Sequence, residues 1–278
     1  MRDMNTQEKR LEYLLDKFKE DSVRYKDLEV EQDYGSRRMA LRSLMNIRLP
    51  KKLSREVLRV QDEFLTEEAE EQGIVGLSDM KTIREAYGSK HPFGDKISLW
   101  QGDITRLSVG AIVNAANSQM LGCFIPCHGC IDNAIHSAAG IQLRAECDEK
   151  MREKRSRYGR DYEEPTGRAM LTGAYNLPAQ YVIHTVGPIV SFSLTEKLKR
   201  DLRDCYENVM KCCVENGIRS VAFNCISTGE FHFPNDKAAC IAVDTVTEML
   251  EGYGEHFDRV IFNVFKDIDL KLYEELLK

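Results

Sequence analysis

The chain has 278 residues, of which 42% are apolar and 30% are charged, as in an ordinary globular protein. Its formal net charge is −6, so the overall charge does not predict binding to nucleic acid. No apolar run approaches the roughly 20 residues that span a bilayer. The polar start, residues 1–5, lacks the apolar stretch of a signal peptide. We therefore expect a cytoplasmic protein that binds neither membrane nor nucleic acid.

Residues 1–92 are rich in charge and poor in glycine, and we predict a helical extension there. A first amphipathic helix is indicated by apolar residues at i, i+3, i+4 and i+7, which are Leu11, Leu14, Leu15 and Phe18. A second helix is expected after Pro50 from the same kind of spacing at Leu53, Val57, Val60 and Phe64. A third, shorter helix is predicted over residues 78–87. The extension contains no chemical motif.

From residue 93 onwards, short apolar runs alternate with helical patterns. The predicted strands are 97–101, 111–115, 181–186, 220–225 and 260–265. The predicted helices are 198–209, 238–249 and a last one from Asp267 to the C-terminus. This alternation indicates a mainly parallel sheet with helices on both faces. Ligands of such folds bind at the carboxyl ends of the strands.

The sharpest local signal is the segment 122–130, which contains Cys123, His128 and Cys130. Thiolates and imidazoles are preferred ligands of zinc, and three protein ligands leave a fourth position open, as in catalytic sites. The alternative is a glycine-rich loop with incidental thiols. Cys127 could be a fourth ligand that closes the site, but the neighbouring Pro126 restricts the backbone. We therefore predict that Cys127 is not a ligand.

Asp132 follows this segment at the predicted start of a helix. It could cap the helix, or it could act as a general base on a water molecule near the metal. His136 lies one helical turn further on, so it faces the same side, although a lone histidine in this position is more often a core residue.

Polar side chains also follow the first two strands of the predicted sheet. In the segment 102–105, Asp103 could accept a hydrogen bond from an exocyclic amine, or it could belong to a common turn. Asn114 and Asn117 end the second strand, where their amides could bind ribose hydroxyls or form a turn.

The segment 225–234 follows a buried strand and precedes a helix. Its small residues would let backbone N–H groups approach phosphate oxygens, assisted by the N-terminus of the helix. Phe231 or Phe233 could pack on a sugar.

These segments together resemble the macrodomain family, the α/β module that binds ADP-ribose, over residues 95–278. The matching pieces are 102–105, 111–117, 132–140, 175–178 with 181–188, and 226–229. The resemblance implies a three-layer α/β/α fold with a mixed, mainly parallel sheet over 93–278. The Cys/His segment replaces the glycine run of typical hydrolytic members, which is similar to a zinc-dependent subclass that also carries an N-terminal helical extension. Residues 148–166 have no counterpart.

The resemblance also implies roles for individual residues. Those implied to bind adenine or ribose, or to border the ligand, are Asp103, Ile104, Asn117, Cys130 and Ile131. Those implied to hold one zinc ion are Cys123, His128 and Cys130. Those implied to surround the phosphates and the distal ribose are Ser227, Thr228, Gly229, Glu230 and Phe231. Asp132 would be the catalytic aspartate and would also contact the ligand, with Asn117 as its catalytic neighbour.

The implied activity is zinc-dependent hydrolysis that releases mono-ADP-ribose from protein side chains. Members of the subclass often accompany a sirtuin-type transferase that modifies a lipoyl-carrier-like protein, so we expect such a substrate. Two alternatives stay open. One is a reader module that binds ADP-ribose without cleaving it, and the other is a hydrolase of small derivatives such as O-acetyl-ADP-ribose.

Overall fold

The computed structural model describes residues 6–278 of the chain. Residues 1–5, on which the expectation about a signal peptide rests and with which the predicted extension begins, lie outside the described residues. Between residues 6 and 278, none of the helices combines the length and the apolar character that crossing a bilayer requires.

The N-terminal part of the chain forms three helices, α1 (Gln7–Asp21), α2 (Tyr34–Ile47) and α3 (Arg55–Gln72). Each helix is preceded by a capping residue whose side chain accepts a hydrogen bond from a backbone N–H of the first turn. These capping residues are Thr6, Asp33 and Ser54 respectively. The three helices share a buried apolar cluster that includes Leu11, Leu14, Phe18, Leu41, Leu44, Val60 and Phe64. Two of these helices were expected from the apolar spacing, whereas α2 was not.

The rest of the chain supplies the strands and six further helices. The strands are β1 (Val75–Gly76), β2 (Ile97–Gln101), β3 (Leu107–Ser108), β4 (Ala111–Ala116), β5 (Ala169–Gly173), β6 (Tyr181–Val186), β7 (Ser220–Phe223) and β8 (Arg259–Val264). The helices are α4 (Ile83–Tyr87), α5 (Ile131–Ala139), α6 (Ile141–Tyr158), α7 (Glu196–Glu215), α8 (Asn235–Tyr253) and α9 (Asp267–Leu277).

Six strands form one sheet in the order β2-β8-β7-β4-β6-β5, and the short β1 and β3 pair separately. All neighbours in the large sheet are parallel except β5, which runs antiparallel to β6 at the edge. The four central strands are buried on both faces, which explains their continuous apolar sequences.

Alternate side chains of the sheet enter two separate cores. Ile112 and Val182 face a cluster that contains residues of α5 and α6. Val113 and Ile183, one position further along each strand, face the cluster formed with α7, α8 and α9. The three-layer α/β/α fold with a mixed, mainly parallel sheet is therefore present as predicted. The carboxyl ends of β4 and β7 lie side by side, because these strands are parallel neighbours.

Two segments, 77–87 and 148–166, fold in ways that the sequence did not indicate. The helix predicted over residues 78–87 is a short 3-10 turn, Leu77–Asp79, followed by α4. Ile83 of α4 is buried in a core of the sheet rather than among α1–α3, and the domain boundary at residue 92 stays a prediction. The charged segment 148–166 begins as the solvent-exposed half of α6 and is followed by a loop, where Lys154 lies 2.5 Å from the buried Glu164.

Candidate active site

Asp132 is the second residue of α5, and its carboxylate is 5% exposed. Its Oδ1 accepts a hydrogen bond of 2.8 Å from Nδ2 of Asn114, on β4. Burial raises the pKa of Asp132 to about 6, opposed by this hydrogen bond and by the charge of Arg144. Asp132 is therefore ionised at neutral pH but close to a pKa at which it can accept a proton.

Asn114 is fully buried beneath Asp132. The expectation that it binds a ribose hydroxyl is therefore wrong, because its amide has no access to a ligand. Its Nδ2 also lies 3.0 Å from Nδ1 of His184, and Nε2 of His184 lies 2.9 Å from Oγ1 of Thr172. Burial lowers the pKa of His184 to about 3, so the ring is neutral. Since Nδ1 accepts from Asn114, the ring proton is on Nε2, and the chain of bonds fixes the amide that orients Asp132.

His136 is also buried, and its Nε2 is 3.5 Å from Oδ1 of Asp132. Burial lowers its pKa, so the ring is neutral, and neither ring nitrogen has a hydrogen-bond partner among residues 6–278. Gly122 lies against the ring, and a Cβ added there would come within 2.8 Å of it. The backbone of the segment 122–130 therefore packs directly on the imidazole ring of His136. Gly122, with a φ of 77°, permits that approach.

The segment 122–130, here named the Cys/His loop, brings three potential metal ligands together. The thiols of Cys123 and Cys130 and a ring nitrogen of His128 lie within 4.8 Å of one another, and all three residues are half-buried. Any two ligand atoms of a tetrahedral zinc site lie roughly 3.5–4 Å apart, given Zn–S and Zn–N distances of about 2.3 and 2.1 Å, so the cluster has a suitable size. Nδ1 of His128 is buried without a hydrogen-bond partner among the described residues. The donor set and this unpaired nitrogen both fit a zinc ion with one open position.

Cys130 is also the N-cap residue of α5, directly before Ile131. Its Sγ accepts a 3.4 Å hydrogen bond from the backbone N–H of Asn133, so the thiol is fixed at the helix N-terminus. Burial raises the pKa of the Cys130 thiol to about 12. A metal ion that binds here must therefore displace a proton.

Cys127 lies outside this cluster of ligands. Its φ is 50°, and its Sγ is 3.2 Å from Oγ of Ser43 on α2. The side chain therefore contacts the N-terminal helices rather than the other two thiols of the loop.

A second buried group contains His136, Cys147 and His184. Both ring nitrogens of His184 are already hydrogen-bonded, as described above, and burial raises the pKa of the Cys147 thiol so that it stays protonated. This group therefore belongs to the support of Asp132 and does not resemble a metal site.

The loop of residues 226–234, here named the amide loop, connects β7 to α8. Among the described residues, the backbone N–H groups that have no protein acceptor include those of Ser227, Gly229, Glu230 and Phe231. Unpaired N–H groups before a helix N-terminus form a binding site for anions. Phe231 is half-buried, whereas Phe233 is buried in the core, so the expectation that Phe233 packs on a sugar is wrong.

The two loops meet at the ends of their strands. Nε2 of His128 lies 3.8 Å from Oε1 of Glu230, which is too long for a hydrogen bond but places the two loops side by side. Asn117 contacts the first residue of the Cys/His loop, since its Nδ2 donates to the carbonyl oxygen of Gly122 at 3.3 Å.

Asp103 stands at the other side of α5. Its Oδ1 accepts from the N–H and the hydroxyl of Thr105, at 2.9 and 2.7 Å, and Ile104 beside it is buried. Asp103 and Thr105 line a cavity of about 120 Å³ that is closed on its far side by α2 and α3.

Comparisons with known proteins agree with this geometry. A model of the Macro domain family matches residues 113–242. A protein named Protein-ADP-ribose hydrolase from Treponema medium is 44% identical over 98% of this chain and 99% of its own length. One of the same name from Staphylococcus aureus strain MRSA252 is 41% identical over 99% of this chain and 97% of its own. The chain belongs to the macrodomain family.

Among solved structures, the Trypanosoma brucei macrodomain in complex with ADP-ribose is similar to this macrodomain. It has a TM-score of 0.63 and 29% sequence identity, and the match covers 83% of this chain and 93% of that chain. The similarity thus extends beyond the segment that the family model matches.

Two residues of this macrodomain support the site in ways that the sequence did not predict: Asn114 was expected to bind a ribose hydroxyl or form a turn, and Arg144 was given no role. Asn114 was identifiable as the polar residue of an otherwise apolar strand. Arg144 is a buried cation between the apolar positions Leu143 and Cys147 of α6, and it donates to the carbonyls of Leu121 and Cys123 at 2.6 and 3.4 Å. A charged residue within the buried stripe of a helix was the available signal.

Proposed function

We propose that this macrodomain is a zinc-dependent hydrolase that removes mono-ADP-ribose from protein side chains. The observation that carries the proposal is the buried, hydrogen-bonded carboxylate of Asp132 two residues after Cys130, on the segment whose His128 lies beside Glu230 of the amide loop. A module that only binds ADP-ribose needs neither the carboxylate nor the Cys/His cluster. The names of the relatives from Treponema medium and Staphylococcus aureus support the same activity.

The amide loop would bind the pyrophosphate of ADP-ribose. Its unpaired N–H groups suit phosphate oxygens, and α8 begins directly after it at Asn235. Asp103 and Ile104 would receive the adenine, while Asn117, Ile131 and Phe231 would border the distal ribose. The reacting bond would then lie next to Asp132.

Asp132 would orient the attacking water and take one of its protons. The water oxygen bonds to the ribose carbon of the linkage, and the bond between that carbon and the protein side chain breaks. The side chain takes up the proton that Asp132 removed from the water. The products are ADP-ribose and the unmodified protein. A zinc ion held by Cys123, His128 and Cys130 would supply Lewis-acid chemistry to the ribose oxygens or to the linkage.

The protein that carries the modification would be the target of a sirtuin-type transferase, and a lipoyl-carrier-like protein is our proposed substrate. We also propose that the reaction takes place in the cytoplasm. O-acetyl-ADP-ribose and similar small compounds serve as comparison substrates, because they share the nucleotide and lack the protein.

The test uses the wild-type protein as purified, after removal of metal with a chelator, and after addition of one equivalent of zinc. Released ADP-ribose is quantified by chromatography from a mono-ADP-ribosylated carrier protein and from O-acetyl-ADP-ribose. We expect release from the protein substrate, its loss on chelation and its recovery with zinc. Undiminished release by the metal-free protein would refute the zinc dependence. If none of the three preparations released ADP-ribose, the protein would be a module that binds ADP-ribose without cleaving it. Faster turnover of the small compound would replace the proposed substrate.

A further inference from the structure

The Cys/His loop packs against α2, a helix of the N-terminal extension. Since this contact joins residues about 80 positions apart in the sequence, it raises the question of what the extension does for the site. Besides the contact between Cys127 and Ser43, two buried polar side chains connect the loop with α2: Asn46 of α2 itself and Arg144 of α6.

Asn46 lies on the last turn of α2 and is 1% exposed. Its Oδ1 accepts a 2.9 Å hydrogen bond from the backbone N–H of Cys127, the residue before His128. Its Nδ2 donates at 2.9 Å to Oγ of Ser137 on α5. The φ of 50° at Cys127 is unfavourable for a residue with a Cβ, by roughly 1–2 kcal/mol. The hydrogen bond to the amide of Asn46 offsets part of this cost and fixes the backbone beside His128.

Arg144 lies beneath the same loop and is 4% exposed. Its Nη1 donates to the carbonyls of Met45 and Arg48 at the end of α2, at 3.1 and 2.7 Å. These carbonyls have no partner within the helix, and a cation is favourable at a helix C-terminus. On its other edge the guanidinium donates to the carbonyl of Cys123, and it stacks on Phe124 at 4.3 Å from the ring centroid.

Each potential metal ligand therefore has a hydrogen bond to itself or to the residue before it. Cys123 is held by Arg144, His128 through its neighbour Cys127 by Asn46, and Cys130 by its position at the start of α5. The first two contacts connect directly to α2. Ordering a free loop residue costs roughly 1–2 kcal/mol, so a loop that is already ordered binds a metal ion more tightly.

We propose that Asn46 and Arg144 are positioning residues for the metal ligands, so that the helical extension is a structural part of the metal site. This inference rests on the zinc binding proposed above. Metal ligands in proteins are commonly oriented by hydrogen bonds from neighbouring residues, and loss of such a residue typically weakens metal binding about 10- to 100-fold. In this protein α2 would take part in that hydrogen bonding.

The experiment compares Asn46→Ala with Gln61→Ala in the full chain. Gln61 is a matched control, because it is a fully buried amide of α3 that bonds across the same interface. Its contacts, Gln142 at 2.6 Å and the N–H of Ile141 at 3.3 Å, are at the start of α6 rather than in the Cys/His loop. Zinc is titrated into each metal-free protein against a coloured competing chelator, and thermal unfolding is followed in parallel. Arg144→Lys, which keeps the charge but loses the fork of donors, is the second variant.

We expect zinc affinity to fall about 10- to 100-fold in Asn46→Ala and Arg144→Lys and to stay within about twofold of wild type in Gln61→Ala. The unfolding temperatures of Asn46→Ala and Gln61→Ala should fall by similar amounts. Equal losses of zinc affinity in Asn46→Ala and Gln61→Ala, or none in either, would overturn the positioning role while wild-type zinc binding stands. Failure of the wild type to bind zinc would instead refute the zinc proposal itself.

Discussion

The Cys/His loop and the amide loop follow neighbouring parallel strands, but they differ in how much distant side chains contribute to holding them. Both have backbone hydrogen bonds, including one of 3.3 Å from His128 to Ile125 in the Cys/His loop and one of 2.9 Å from Val190 to Phe231 of the amide loop. The amide loop is closed by its own backbone, through hydrogen bonds of 3.0 Å from Phe233 to Ser227 and from His232 to Gly229. The Cys/His loop depends instead on Asn46 and Arg144, which lie on other elements.

This difference separates two kinds of functional loop. A loop that is closed by its own backbone can be recognised from its local sequence, and truncating a distant side chain should affect it little. A loop that is held by distant side chains carries its ligands in its own sequence, while its geometry is determined elsewhere. The two loops should therefore respond independently to well-chosen substitutions.

The largest effect is expected from Asp132→Asn. The new side-chain oxygen can still accept the hydrogen bond from Asn114, so the fold should persist, while the capacity to take a proton is lost. We expect the rate of ADP-ribose release from modified protein to fall about 10²- to 10⁴-fold. Calorimetry should show ADP-ribose affinity close to that of wild type, since the amide loop is unchanged. A rate within a few-fold of wild type would exclude Asp132 as the base.

Gly187→Ala should act on the amide loop alone. A Cβ at Gly187 would clash with Oγ of Ser227 and lie 2.9 Å from Cγ2 of Ile226, so these side chains of the amide loop must move. Overpacking of this kind costs about 1–3 kcal/mol, and we expect ADP-ribose affinity to fall about tenfold while zinc affinity stays unchanged.

Gly252→Ala is the control for this substitution, because a Cβ at Gly252 in α8 meets no atom within 4 Å among the described residues. Its ADP-ribose affinity should equal that of wild type. A parallel loss of zinc affinity in Gly187→Ala would show that the two loops are coupled, contrary to the comparison above.

The same distinction explains what could be predicted from the sequence. Buried parallel strands give continuous apolar runs, so β4 and β6 were predicted to within one residue. The three potential metal ligands of the Cys/His loop were predicted to cluster from their spacing, because all of them lie on one short segment. The edge strand β5 was missed, since Met170 and Leu171 are its only large apolar residues.

The support of the site could not be predicted, because it depends on contacts between distant residues. Asn46 and Cys127 are 81 positions apart, and nothing in the sequence of α2 indicates a partner in the Cys/His loop. Helix α6 was missed for a different reason: its buried stripe, Leu143, Cys147 and Met151, is short and is followed by a charged, exposed half. Periodicity detects an apolar face, but it cannot show what that face or a polar residue beside it will contact.

The smallest effect concerns backbone strain within the amide loop. His232 is exposed and has a φ of 54°, a conformation that costs a non-glycine residue roughly 1–2 kcal/mol. His232→Gly removes this cost but adds about 0.5–1 kcal/mol of unfolded-state entropy. We therefore expect the free energy of unfolding, from denaturant titration, to rise by up to about 1 kcal/mol.

His232→Ala is the matched control, because alanine keeps the Cβ and hence the strain. Its free energy of unfolding should stay within about 0.5 kcal/mol of wild type. If alanine stabilised the protein as much as glycine, the gain would come from removing the imidazole rather than from relaxing the backbone. A gain limited to glycine would show that the loop keeps its conformation against local strain by means of its own hydrogen bonds. Cys127, with a φ of 50° in the other loop, has the amide of Asn46 for the same purpose.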